Sequence, residues 1–300
     1  MLINVVLPVF VVAGLTALAQ TWLRLESRTL SRAVFYLFAP ALVFDSLTGS
    51  EASGAQFGRI ALVVLATTAV LWLVGWLAAR LLRLAGATRA AFLNALLLVN
   101  SGNYGLSVNL FAFGPAGLAL ASLVFTISAL LVSSLGVYLS ASGRAGAREA
   151  IKRVAGVPLL YGAVLGLAVN LTGWHVPEPV AKATGLLAQA SVPVMLAVLG
   201  LKLAETVEGG VQALRPPALV AVALLRLVVS PALAWGLAGL VGLEGLARDV
   251  TILQSAMPTA VVTTILATEF ETAPRFAALC VLATTLGSLL TVTVILNLLG

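Results

Sequence analysis

The sequence predicts an all-α membrane protein of ten transmembrane helices, arranged as a five-plus-five inverted repeat with broken, crossing helices in its fourth and ninth spans. Three observations predict it. Of the 300 residues, 61% are hydrophobic and only 9% charged, against about 25% charged in an ordinary soluble domain. Apolar stretches long enough to cross a bilayer follow one another with little chain between them. Two of these stretches are interrupted, at matching places in the two halves, by residues that break helices.

The first span, 2–23, is apolar from its start and lacks the basic leader of a secretory signal, so it is read as a retained helix. The second, 31–47, carries Pro40, and the third covers 60–82. The fourth, 90–113, contains the polar run Asn100-Ser101-Gly102-Asn103-Tyr104-Gly105. Glycine weakens a helix and asparagine competes for its backbone hydrogen bonds. Freed N–H and C=O groups cost several kcal/mol in hydrocarbon unless protein or a water-filled cavity satisfies them. The fifth span, 115–140, opens on Pro115, and a polar linker, 141–156, follows. The second half then repeats the order: 157–172 with Pro158, 179–203 with Pro193, 217–240, 248–269 and 274–299. Its ninth span is interrupted by Gln254-Ser255-Ala256-Met257-Pro258-Thr259.

The halves, 1–140 and 157–300, align at a single offset. Arg89 and Arg248, Phe111 and Phe270, and Pro115 and Pro274 are each 159 positions apart. Five spans per half force the second half into the membrane from the opposite side, so the pseudo-two-fold axis lies in the membrane plane. The two breaks then face each other near the midplane. Each new half-helix presents unpaired N–H groups and a positive dipole end, which favour a carboxylate or another anion. The half-helices that end there present carbonyls, which suit a cation or a donor.

Basic residues set the orientation. Thirteen lie in or beside the loops after odd-numbered spans: Arg24, Arg28, Arg32, Arg80, Arg83, Arg89, Arg144, Arg148, Lys152, Arg153, Lys202, Arg215 and Arg275. Three lie on the other side, Arg59, Lys182 and Arg248. The positive-inside rule places the thirteen in the cytoplasm and both termini outside. The net charge of +6 then reflects this asymmetry and anionic lipid. No basic domain is free for nucleic acid.

Arg226 is the one charge well inside a span, nine residues past Pro217, on the order of 13 Å deep at 1.5 Å per residue. A charge there faces protein or water and needs a partner. Its repeat mate is Thr67, so the repeat does not require it. It is expected either to counter an anionic substrate or to clamp the carbonyls of a broken helix, with snorkelling as the third reading. Substrate contact is assigned to Asn100, Ser101, Gly102, Asn103, Tyr104, Gly105, Gln254, Ser255, Pro258, Thr259 and Arg226. Gly162 and Gly166 form a small-xxx-small pair suited to close helix packing. Cys280 stands alone, so no intrachain disulfide forms. The lone His175 is expected to be solvated, and neither a metal nor any other cofactor is expected. There is no GxxxxGK[ST] loop for ATP, and no enzymatic activity is expected.

The runs Asn100–Gly114, NSGNYGLSVNLFAFG, and Met257–Phe270, MPTAVVTTILATEF, resemble the auxin efflux carrier family of membrane transporters. Asn100, Gly105-Leu106 and Phe113-Gly114 fill the places of that family's fourth-span pattern. Pro258 and Ala267-Thr268-Glu269-Phe270 fill those of the ninth. Val99 and Ser107 stand where prolines are common, and the long cytoplasmic loop of the plant members is short here. The resemblance implies a bacterial inner-membrane carrier of a small organic anion. Its scaffold would be spans 1, 2, 6 and 7, and its moving transport domain spans 3–5 and 8–10, in an elevator-like alternating access. The partners are the substrate and membrane lipid, and a homodimer is compatible with the pattern. The rival reading is a sodium-coupled symporter of the bile-acid type, which shares the architecture, and a channel ranks below both.

Overall fold

The computed structural model describes residues 2–141, 152, 154–208 and 216–299. The expected linker at 141–156 lies mostly outside the described residues, as do Arg144, Arg148, Arg153 and Arg215. The described chain is all-helical. We label the helices α1 (Leu2–Leu23), α2 (Ser27–Thr48), α3 (Gly54–Leu81), α4 (Gly86–Leu97), α5 (Ser101–Ser140) and α6 (Pro158–Thr172). They continue as α7 (Glu178–Glu208), α8 (Pro216–Leu240), α9 (Gly245–Ser255), α10 (Val262–Glu269) and α11 (Pro274–Leu299). Among the described residues, seven (α1, α2, α3, α5, α7, α8 and α11) are long and apolar enough to cross a membrane, and α6 is a shorter apolar helix.

Their outer surfaces are apolar. Leu15, Leu81, Leu186, Leu240 and Leu290 stand largely exposed, an arrangement suited to lipid. Trp22 and Trp174 are exposed near helix ends, where amphipathic rings sit at a membrane–water interface.

Proline shapes the spans. In α1, α2 and α8 a wide π turn, at Leu2–Val6, Val34–Phe38 and Leu225–Val229, ends two residues before Pro8, Pro40 and Pro231. A proline has no N–H to bond and its ring crowds the carbonyl one turn back, so the helix widens by a residue there. Helix α5 would run about 60 Å if straight, twice the hydrocarbon thickness. It is divided at Gly114, whose φ of 66° and ψ of −161° are non-helical. That backbone is open essentially to glycine, and Pro115 restarts the helix where the sequence placed the boundary between two spans.

Several helices begin earlier than their apolar cores. α2 starts at Ser27 rather than 31, α3 at Gly54 rather than 60, and α4 at Gly86 rather than 90. The reason at α3 is local: Ser53 accepts from the Gln56 N–H while the Gln56 side chain accepts from the Ser53 N–H, a capping box.

The tightest helix contacts run through glycine. A Cβ at Gly162 would lie 2.5 Å from the Pro40 carbonyl oxygen and one at Gly166 2.9 Å from that of Phe44, so α6 lies backbone-close on α2. A Cβ at Gly200 would lie 2.1 Å from the Ala13 oxygen, which sets α7 equally close on α1. Small residues permit this approach. The main core gathers residues from α1, α2, α3, α5, α6, α7, α8, α9 and α11, with Tyr104 and Met195 fully buried in it.

Candidate functional site

Helix α4 ends at Leu97, and the chain runs extended through Leu98 (φ −86°, ψ 105°) before α5 opens with a wide turn at Ser101–Leu106. The break is therefore shorter and earlier than the run Asn100–Gly105 implied, because Ser101 to Gly105 are already helical. In the other half, α9 keeps Gln254 and Ser255 helical and breaks at 256–261, around Pro258.

The two breaks meet. The Asn100 N–H donates to the Pro258 carbonyl at 2.8 Å, and the Ala260 N–H donates to the Leu98 carbonyl at 2.7 Å. Val99 and Thr259 thus form an isolated antiparallel bridge. The carbonyls at the end of α4 have no acceptor role within their own helix, and the second half supplies their donors. Thr259 Oγ1 donates to Ala95 O at 2.7 Å, and Arg226 Nη1 to Leu96 O at 3.0 Å. At the end of α9, Ser255 O accepts from Arg226 Nη2 at 2.5 Å and from Ser230 Oγ at 2.9 Å. Ser230 Oγ itself accepts from Arg226 Nη2. Arg226 is 3% exposed, and among the described residues no carboxylate pairs with it. Of the arrangements the sequence left open for Arg226, its hydrogen bonds are those of a clamp on broken-helix carbonyls. Its Nε has no hydrogen-bond partner among the described residues.

The other predicted residues surround this meeting point. Asn100 is buried, and its Nδ2 has no partner. Gln254 is fully buried; its Nε2 donates to Ser101 O at 3.4 Å, while Oε1 has no partner. It lies against Gly105, where a Cβ would come 2.3 Å from Oε1. Gly102 similarly makes room for the Phe125 ring, 2.6 Å from where its Cβ would be. Asn103 is half-buried on the same turn. Tyr104 points the other way: its hydroxyl is 3.1 Å from Ser288 Oγ and its ring stands edge-on to Phe10. Thr259 is fully buried, its N–H donating to Thr284 Oγ1 at 3.1 Å. The first bond of the α5 turn runs from Gly105 N–H to Asn100 O at 3.0 Å, so the N–H groups of Ser101 to Tyr104 lie ahead of the helical ladder.

Four residues that sequence reasoning passed over belong here. Thr67 is buried with its hydroxyl unpartnered, and Ser230 joins Arg226 to Ser255. Thr284 holds the Thr259 N–H, and buried Asn94 donates to Gly136 O and Ser140 Oγ at 3.1 and 2.7 Å. Thr67 carried a signal in its offset from Arg226. The others are hydroxyls and an amide of kinds that occur throughout the spans.

Two cavities stand out, the smaller at the site and the larger lined by none of the predicted site residues. A small one, about 30 Å³, is lined by Thr67, Arg226, Ser230, Gln254 and Ser255, which is room for a water or two and no organic molecule. A large one, about 930 Å³, opens between α1, α2, α7 and α5, with Leu42, Leu120 and Leu196 among its apolar walls. Asp45, Glu51 and Glu244 also line it, and among the described residues no Lys or Arg does.

The profile of the membrane transport protein family matches residues 1–153 and 144–296. An uncharacterised transporter of Methanothermobacter thermautotrophicus is 32% identical over 269 residues, covering 88% of this chain and 86% of that protein. An uncharacterised transporter of Methanocaldococcus jannaschii is 25% identical over 281 residues, covering 89% and 88%.

Proposed function

The chain belongs to the membrane transport protein family, and from that premise we propose that it is a secondary carrier that moves a small organic anion, a carboxylate, by alternating access. The observation that carries the reading is the charge balance where the breaks meet. Two helices end there and two begin, and each end is worth about half an elementary charge. The pair of C-terminal ends offsets the Arg226 guanidinium, which leaves the two N-terminal ends as uncompensated positive charge. Unpartnered buried donors, Asn100 Nδ2 and Arg226 Nε, add to it. An anion is the complement of that set.

Within this reading the binding centre is the crossing of the two broken spans, with Asn100, Asn103, Gln254 and the N–H groups after Asn100 and Pro258 toward the substrate. The large cavity is not the binding centre in this reading, since Asp45, Glu51 and Glu244 would repel an anion held there. The inverted repeat is supported by paired contacts: α6 on α2 through Gly162, and α7 on α1 through Gly200, are exchanged by the proposed two-fold. These four helices form the scaffold, and the helices bearing the breaks form the moving part.

The test is a thermal-shift screen of purified protein with small carboxylates, matched amines and sugars. A ligand of the folded state raises apparent stability, by about 2.7 kcal/mol at a hundredfold excess over Kd. A carboxylate is expected to raise Tm in the wild type and to lose that effect in Asn100→Ala. The Asn100→Ala protein alone should melt close to wild type, because Nδ2 has no partner to lose. Stabilisation by amines and not by carboxylates would overturn the anion reading, and conductance on the scale of channels in liposomes would overturn the carrier.

A further inference from the structure

Leu96 and Ser255, the residues whose carbonyls Arg226 holds, are 159 positions apart. That is the offset relating the two halves, so one guanidinium bridges the same carbonyl in each half-helix that ends at the meeting point. In carriers built on broken helices, such C-terminal ends and unwound carbonyls are what coordinate a coupling cation. Here the position is filled from within the chain.

We propose that Arg226 is a tethered cation standing in a monovalent-cation site, so that the centre assembles without sodium or any other free coupling ion. The two half-helix ends together carry about one negative charge in the dipole description, which the single guanidinium matches, and among the described residues no carboxylate shares the task. The position is surrounded by oxygen: Leu96 O, Ser255 O and Ser230 Oγ bind the guanidinium directly. Thr67 and Gln254, whose Oγ1 and Oε1 are buried and have no partner among the described residues, line the same small cavity as Arg226. The mate of Arg226 in the first half is Thr67, so the two-fold pairs a charge with a neutral oxygen ligand. Removing the guanidinium leaves the three oxygens it held, with a negative bias, beside a cavity with room for one small ion.

The inference deepens the reading of the crossing as the binding centre and rests on it for its consequence in transport, but its test uses no substrate. Purified wild-type protein is melted in sodium, potassium and choline chloride at equal ionic strength, alongside Arg226→Gln. The wild type should melt at one temperature in all three. Arg226→Gln should melt lower in choline, by about 5–10 °C, and recover part of that loss in sodium or potassium. A wild type stabilised by sodium over choline would overturn the proposal, and that measurement stands even where the variant fails to fold. A folded Arg226→Gln that is indifferent to cations would overturn it as well. Either failure leaves the carboxylate screen on the wild type unaffected, so the two readings are judged separately.

Discussion

Gly105 and Gln254 occupy one space, and each explains the other. The glycine sits where a Cβ would come 2.3 Å from Gln254 Oε1, and the glutamine is fully buried with no solvent to swing into. Gly105→Ala should therefore displace the amide and destabilise the protein by about 1–3 kcal/mol, the range for overpacking a close-packed site. Gln254→Ala in the same chain should remove most of that loss. A thermal-unfolding double-mutant cycle checks this, since residues in contact show coupling where distant ones add; additive losses would mean that the two do not share the space. The sequence identified both residues as interruptions of a helix. It could not show that one is the vacancy the other fills, because their contact spans the two halves of the chain.

Among the helices, the same substitution should have different effects according to what the glycine faces. Gly200 lets α7 lie on α1, where a Cβ would meet the Ala13 carbonyl oxygen at 2.1 Å. Backbone cannot yield as a side chain does, so Gly200→Ala should part the helices and cost roughly 1–3 kcal/mol. Gly236, on the exposed side of α8, has nothing within 4 Å of its Cβ position. Gly236→Ala should stay within about 0.5 kcal/mol of wild type. Melting curves of the two variants in one detergent decide it, and equal behaviour would contradict the packing described. Local chemistry made the interruptions legible, through Asn100, Gly102 and Pro258. Their extents were less so: Ser101–Leu106 stays helical by widening its turn, and Gln254 and Ser255 stay helical because Pro258 bars the α conformation only at the residue just before it, Met257, and the helix ends short of that.

At the scale of the whole molecule, the large cavity gathers α2, α7, α5 and the α8–α9 connection at the end where Arg59 donates to Gly242 O at 2.8 Å. Most of the described basic residues lie at the other helix ends, and on the positive-inside rule we propose that the cavity is extracytoplasmic. Cys280 is fully buried, so the wild type should be silent to a membrane-impermeant maleimide. On intact cells, Glu51→Cys and His175→Cys should label, and Arg83→Cys should label only after permeabilisation. The reverse pattern would invert the proposed topology.

The amino-acid sequence by itself determined the class of the molecule and the place of its interruptions. Composition excludes a water-soluble fold, and residues such as Asn100 and Pro258 act on their own turns through short-range backbone chemistry. It also placed Arg226 at a depth where a charge needs a partner. Only the tertiary structure decided what that partner is. Backbone carbonyls carry no residue identity that a sequence can display, so Leu96 reads as an ordinary apolar residue, and Ser255, assigned to the substrate, gives no sign that its carbonyl is what Arg226 holds. Thr259 capping Ala95, and Asn100 bonding to Pro258, are likewise contacts across more than 150 positions, settled when two broken helices meet and each supplies what the other lacks.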